Sequence, residues 1–208
     1  VSRTASSATS ADPTGVGARR RAGLGLGPVL VIVLFLGGAI ALIDQLTKNW
    51  AEANLPLLDP QPFLGEFLQF TLLYNSGAAW GMGSGITPVV TVLQIGIAIG
   101  VVVFAVRAVR SSWYALALAM ILGGALGNIH DRLLRPPGPF RGEVVDFLEL
   151  PNWPVFNIAD MGVVGGAILV VLLGVIGVSP DPAREAEEDA AAAAAGGDAE
   201  PQGTEEGR

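Results

Sequence analysis

Asp44, Asp131, Asp146 and Asp160 are the residues of this chain best placed to do chemistry. Each stands at or near the end of an apolar run, with polar company at a fixed spacing. Lys48 follows Asp44 by four residues, and Asn128 precedes Asp131 and Arg132 by three and four. Asn157 precedes Asp160 by three, while Asp146 sits between Val145 and Phe147. On a helix, residues three or four apart share a face, so each run aims its polar groups one way, into a common pocket. Ionisable groups at the edge of a membrane core are costly unless paired, and by default they mark a functional site.

Two carboxylates held close cannot both ionise easily, so they share a proton. The ionised one can take a proton from water while the neutral one donates to a carbonyl oxygen, which is aspartic-protease chemistry. It requires no metal or other cofactor and no thiol. Cysteine is absent and His130 is the only histidine, so an H-E-x-x-H zinc site cannot be built. No G-x-S-x-G elbow is present for a serine hydrolase. Asp160, at the start of an apolar helix, is the natural ionised member, because a helix N-terminus favours negative charge; Asn157 would orient it. Asp131, beside Arg132 at a helix C-terminus, suits a structural pairing with Arg132 or Lys48. The apolar setting of Asp146 favours its protonated form. Residue types alone leave Asp131 and Asp146 nearly equal as the second acid.

The elements that must position these groups are membrane spans. Of 208 residues, 51% are hydrophobic and 15% charged, with a mean hydropathy of +0.54. That composition excludes an ordinary soluble domain. Apolar runs at 28–43, 88–106, 111–129 and 161–179 are each near the ~20 residues a spanning helix needs. The link between the second and third is short, so these two form a tight antiparallel pair. Trp113 and Tyr114 suit the membrane interface. Lys and Arg mark cytoplasmic ends: Arg19, Arg20 and Arg21 precede the first span, and Arg107 and Arg110 lie between the second and third. Both termini are then cytoplasmic and all the polar clusters face outside. Arg132, Arg135 and Arg141 oppose this scheme; Arg132 is read as a site residue, the other two as loop or lipid-headgroup contacts. A basic start before an apolar run also describes a signal peptide, with Ala51-Glu52-Ala53 as a formal cleavage site, but the run is long and Asp44 and Lys48 precede the cut.

Residues 67–74 are rich in strand formers and bounded by Pro60, Pro62, Gly65 and Gly77. Residues 143–148 form a second candidate strand. A small sheet over the outer helix ends would shape a groove and offer an edge to an extended peptide. The fold class is therefore an all-α membrane protein with four transmembrane helices and a small extracytoplasmic sheet. Residues 1–22 and 180–208 are expected to be disordered cytoplasmic tails flanking a domain at 23–179, with transient helix at 190–195. The acidic tail carries the whole net charge of −7, so the remainder is balanced and offers nucleic acid no basic field.

Together, Asp44-x-x-x-Lys48, Asn75-x-Gly77-Ala78-Ala79-Trp80, Gly127-Asn128-x-x-Asp131-Arg132, Val144-Val145-Asp146-Phe147 and Phe156-Asn157-x-Ala159-Asp160 resemble the bacterial lipoprotein signal peptidase family, signal peptidase II. The resemblance covers about 42–165; any one motif is weak, and the five in order are specific. It implies a four-span, monomeric enzyme of the bacterial inner membrane with an external β-cradle, in contact with membrane lipid. That enzyme removes signal peptides from prolipoproteins just before a cysteine carrying diacylglycerol. It makes Asp146 and Asp160 the catalytic pair. Asn128, Arg132 and Asn157 become supporting residues, Asp44, Lys48 and Asn75 belong to the surrounding site, and Asp131 is a motif residue outside the pair. The stretch from Asp146 to Phe156 is compact for the family.

Blander readings exist. Asp44 and Lys48 could be an interfacial ion pair only, Asn75 and Gly77 a simple turn, and His130 a polar residue without chemistry. Gly96, Gly100, Gly123, Gly124, Gly165 and Gly166 would serve close helix packing. A proton-coupled transporter would need ionisable groups near mid-bilayer, which the apolar runs lack; a scaffold would leave the acids unexplained.

Overall fold

The structure, a computed structural model, describes residues 23–77 and 86–197. Ala78, Ala79 and Trp80, the arginines 19–21 and the acids beyond residue 197 lie outside the described residues. Helix α1 spans Leu26–Asn54, followed by strands β1 (Gln61–Leu64) and β2 (Leu68–Asn75). Helices α2 (Thr87–Ala108) and α3 (Ser112–Leu134) come next, then strand β3 (Val144–Glu149) and helices α4 (Ile158–Val175) and α5 (Pro182–Gly197). The first four helices are long and apolar enough to cross a membrane.

Helix α3 is the central post. Of its most apolar window, 61% is buried, against 17–22% for α1, α2 and α4. Their remaining surfaces are apolar and exposed, as lipid-facing helices must be. Small residues let α3 sit close to its neighbours. A Cβ on Gly124 would come within 2.1 Å of the Ala159 carbonyl oxygen on α4, and one on Gly127 within 2.5 Å of Asp44 Oδ2 on α1. Gly96 and Gly100 on α2 face open space instead, so the packing role expected of them does not apply.

The sequence places the ends of the first and third spans at 43 and 129. Both helices run on, to Asn54 and Leu134. Asp44, Lys48, Asn128, Asp131 and Arg132 thus lie within helices rather than ending them. They do so because each is buried and partnered across the bundle, so no charge needs to leave the helix to reach water. At 29 residues α1 is ~43 Å long, more than the ~30 Å hydrocarbon core. Helix α4 starts earlier than expected, at a capping box on Asn157, and ends earlier. There Gly177, at φ +72°, closes it with Val178 N–H donating to the Leu173 carbonyl, a Schellman stop.

The three strands form one antiparallel sheet in the order β1-β2-β3. β1 was not expected, because Pro60 and Pro62 read as turn residues. Pro62 is tolerated there because β1 is an exposed edge strand. Between β2 and β3, Leu73 faces Asp146, Tyr74 faces Val145 and Asn75 faces Val144. Opposed residues share a face and alternate along a strand. Asn75 and Asp146 therefore lie on one face, Tyr74 and Val145 on the other. The second face packs Leu72, Val145 and Phe147 against Ala51 of α1, which seats the sheet on the helix ends.

At the opposite end, Leu24 N–H donates to the Arg110 carbonyl, and the N–H groups of Arg110 and Ser111 donate to the Pro180 carbonyl. Residues 182–197, expected to lack order, form the exposed helix α5; its run of alanines has high intrinsic helix propensity.

Candidate active site

All nine residues singled out in the sequence meet in one hydrogen-bonded network where α1, α3 and α4 reach the sheet. Its inner half is built on Lys48. The ammonium has three donors, and they reach Asp44 Oδ2 at 2.8 Å, Asp131 Oδ2 at 2.7 Å and Asn128 Oδ1 at 2.9 Å. Lys48, Asp44 and Asp131 are all 0% exposed. Such burial is tolerable because each carboxylate has a cationic partner and every ammonium donor is used. The second oxygen of Asp44 accepts from Ala159 N–H at 2.9 Å, so the α1 ion pair also fixes the start of α4. The blander reading of Asp44 and Lys48 as an interfacial pair thus misses their depth and their third and fourth partners.

Asp131 is an organising group. Its ion-pair partners are Lys48 and Arg135, at 2.7 and 2.8 Å, not the adjacent Arg132, whose side chain leaves the helix on another face. Its Oδ2 also accepts from Val145 N–H at 3.4 Å. Arg132 turns to the loop instead: Nη1 donates to the carbonyls of Asn75 and Gly142, at 3.0 and 3.1 Å. Its Nη2 lies 2.9 Å from where a Cβ on Gly77 would stand. Gly77 also has φ +83°, a conformation that suits glycine. Asn75 makes the expected turn, its Oδ1 accepting from Gly77 N–H at 2.7 Å, and in addition its Nδ2 donates to Asp146 Oδ2 at 2.8 Å.

The outer half holds Asp146 and Asp160, and Asn157 joins them. Asn157 Nδ2 donates to Asp146 Oδ1 at 2.6 Å, while its backbone N–H donates to Asp160 Oδ2 at 3.3 Å. Asn157 Oδ1 accepts from Asp160 N–H at 2.9 Å, completing the capping box. Asn128 Nδ2 holds the other oxygen of Asp160 at 2.8 Å. This meeting is arranged by the chain itself. Phe156 and Leu148 exchange backbone hydrogen bonds at 2.8 and 2.9 Å, which folds the 150–155 turn back and lays Asn157 beside Asp146.

The two acids differ in setting. Asp146 is 1% exposed, whereas Asp160 is partly open at the first turn of α4. Burial pushes the Asp146 carboxyl up to about 7, and the nearby Asp160 charge adds to the rise; the hydrogen bonds from Asn75 and Asn157 and the more distant Lys48 oppose it. Asp160 sits at the helix N-terminus and accepts from two N–H donors. The arrangement can therefore present two unlike carboxyls, one buried with its proton retained towards neutral pH and one partly open, to a water and a carbonyl group.

Sequence reasoning missed three members of the network. Gln45 donates to Asp44 Oδ2, Gly127 O and Asp131 Oδ1 at 3.2, 3.0 and 3.1 Å; its place beside Asp44 in an apolar run was the available signal. Arg135, read as a loop or headgroup contact, pairs with Asp131 and Glu52. Glu52 itself gave no signal beyond its charge. His130 keeps a half-exposed side chain, its Nδ1 3.5 Å from Asp131 Oδ1.

Known proteins agree with this architecture. Residues 34–176 match the family described as signal peptidase (SPase) II. The chain is 44% identical over 158 residues to the lipoprotein signal peptidase of Rhodococcus jostii (strain RHA1), covering 76% of this chain and 79% of that one. It is 46% identical over 152 residues to the lipoprotein signal peptidase of Mycobacterium avium (strain 104), covering 73% and 83%. Two solved bacterial membrane enzymes share the fold. One has a TM-score of 0.62 at 30% identity, covering 74% of this chain and 91% of that one; the other has 0.60 at 31%, covering 73% and 94%. The chain belongs to the signal peptidase II family, and is a multi-pass membrane peptidase of the aspartic type.

Proposed function

We propose that this protein cleaves signal peptides from prolipoproteins, using Asp146 and Asp160 as its acid/base pair. Family membership supports the reaction class. The observation that carries the pair is Asn157, which holds a carboxyl oxygen of each acid at 2.6 and 3.3 Å. The scissile carbonyl enters beside a water held between the acids. Asp160 takes a proton from that water as its oxygen attacks the carbonyl carbon. Asp146 gives its proton to the carbonyl oxygen, which forms a neutral tetrahedral diol. The return steps move a proton to the leaving nitrogen as the C–N bond breaks, and the pair ends with one shared proton, as it began.

The cut falls just before the diacylglyceryl-modified cysteine, so the substrate is lipid-tethered and reaches the site from the bilayer. Asn128, Asn157 and Asn75 hold the two acids, Asp44, Lys48 and Asp131 hold the helices, and Arg132 holds the loop that carries Asn75. The active site faces outside the bacterial cytoplasmic membrane, the termini face inside, and the enzyme works as a monomer. The test is Asp160→Asn in cells. Uncleaved prolipoprotein accumulates while the variant stays stable and membrane-inserted; normal processing by that variant removes the proposed role.

A further inference from the structure

Behind the sheet, on the face away from Asp146, the chain carries an ion-paired set that the reaction as described does not use. Glu52, in the last turn of α1, accepts from Arg135 Nη1 through Oε2 at 2.5 Å and from the Tyr74 hydroxyl through Oε1 at 3.2 Å. Arg135 Nε donates to Asp131 Oδ1 at 2.8 Å, and its Nη2 reaches Asn49 Oδ1 at 3.3 Å. Asp131 in turn takes Val145 N–H through Oδ2 at 3.4 Å. On the other side of the same residue, Asn157 Nδ2 donates to the Val145 carbonyl at 3.4 Å. The peptide groups on both sides of Val145 are thus held by side chains from α3 and from the cap of α4, and the next residue is Asp146.

We propose that Arg135 and Glu52 are positioning residues, which set the placement of Asp146 through Asp131 and the Val145 backbone. The geometry requires a fixed Asp131. From the α1 side Lys48 holds its Oδ2 while shared with Asp44 and Asn128, and the neutral Gln45 amide reaches its Oδ1 at 3.1 Å. Arg135 holds its other oxygen from the opposite direction, and Glu52 fixes the guanidinium by an ion pair. Without Arg135 that oxygen loses its cation and keeps only the neutral Gln45 amide, so the Asp131 carboxylate can turn towards Lys48 and weaken its contact with the Val145 N–H. A shift of β3 by a fraction of an ångström then moves Asp146 against Asp160. Arg135 borders a cavity of about 290 Å³ lined also by Glu52, Tyr74, Pro136 and Glu143. A shorter side chain there widens existing space rather than opening a void in the core, so variants at 135 are expected to fold.

The inference rests on Asp146 being one of the two catalytic acids, and the experiment separates the two claims. Full-length enzyme in detergent is assayed with a diacylglyceryl peptide substrate across pH, for Arg135→Gln, Arg135→Lys, Glu52→Gln, Asp131→Asn, Arg135→Gln/Asp131→Asn and Asp146→Asn, with thermal unfolding measured for each. Arg135→Gln is expected to lower kcat by roughly 10- to 100-fold with KM little changed, the scale of a small misplacement of a reacting group. Its high-pH limb moves upward, because an Asp131 charge without its Arg135 partner makes ionisation of Asp146 harder. The groups facing Asp146 from the surrounding elements, Asn75, Lys48, Arg132, Asn157 and Asp160, are unchanged in this variant. Arg135→Lys recovers part of the rate and Glu52→Gln loses less than Arg135→Gln. In the Asp131→Asn background the Arg135→Gln effect largely disappears, since both act along one path. Wild-type kcat and pH profile in Arg135→Gln, with Asp146→Asn inactive, overturn the positioning role and leave the catalytic pair standing. A rate loss that tracks only lost thermal stability, with an unmoved pH limb, overturns it too. Activity in Asp146→Asn defeats the catalytic assignment itself.

Discussion

The four aspartates of the polar cluster divide into two pairs that the fold treats in opposite ways. Asp44 and Asp131 each touch the Lys48 ammonium, at 2.8 and 2.7 Å, and Asp131 has Arg135 as a second cation. Asp146 and Asp160 are held, among the described residues, by the amides of Asn75, Asn128 and Asn157. A carboxylate paired with a buried cation keeps its charge, and its energy lies in that pairing. Burial without a cation favours the protonated form at Asp146, and the amide donors offset only part of that. The first pair fixes three helices to one another; the second is the pair proposed to exchange a proton with a substrate. Asparagine suits this division, because its amide orients a carboxyl and favours the charged form less than a cation would.

The largest effect should come from the amide-held pair. Asp160→Asn and Asp146→Asn each lose about 10²- to 10⁴-fold or more in peptide cleavage, the range of a lost general acid or base. Their thermal unfolding in detergent should stay near wild type. Lys48→Met should do the reverse in kind, by stranding the buried Asp44 carboxylate and leaving Asp131 with Arg135 as its one remaining cation. It should cost about 3–5 kcal/mol of stability, and converting Asp44 to Asn in the same chain should recover part of that. If Lys48→Met unfolds no more easily than Asp146→Asn, the contrast between the pairs fails. Gly124→Ala tests the packing that brings the pairs together. With the Ala159 carbonyl 2.1 Å from the new Cβ, α4 must move off α3, at about 1–3 kcal/mol.

The smallest effect is on pH dependence. Asp146 is raised to about 7, so it is protonated below that value and the pair holds its single shared proton. Above it the second acid loses its proton and the rate falls. Asn75 donates to Asp146 and opposes the rise. Removing that donor in Asn75→Ala should therefore move the falling limb to higher pH, read as log kcat against pH. A limb that moves downward contradicts the assigned hydrogen bond.

Much of this was legible in the sequence because charge inside apolar runs is conspicuous. Asp44, Lys48, Asn128, Asp131, Arg132, Asn157 and Asp160 could be placed on helices by three- and four-residue spacing alone. The spans themselves were readable for the same reason. Helix ends were not: an apolar count stops at Asp44, while α1 continues to Asn54 because Asp44 and Lys48 find partners inside the protein. Residue types could not rank Asp131 against Asp146 either. Which acid receives Lys48 depends on where α1 crosses α3, a tertiary fact. Arg135 looked like a headgroup contact because nothing local shows that Glu52, 83 residues earlier, meets it. β1 hid behind Pro62, which only an edge position could accommodate.

In the proposed mechanism Asp146 carries the proton that it shares with Asp160. Infrared titration of the full-length protein in detergent, between pH 5 and 9 on a scale set by ordinary carboxyl values, reads it directly. A protonated-carboxyl C=O band is expected that fades as pH rises through about 7. That band is absent in Asp146→Asn and fades at lower pH in Asp160→Asn, where the neighbouring charge is gone. A band that survives in Asp146→Asn, or that titrates identically with and without Asp160, would contradict it.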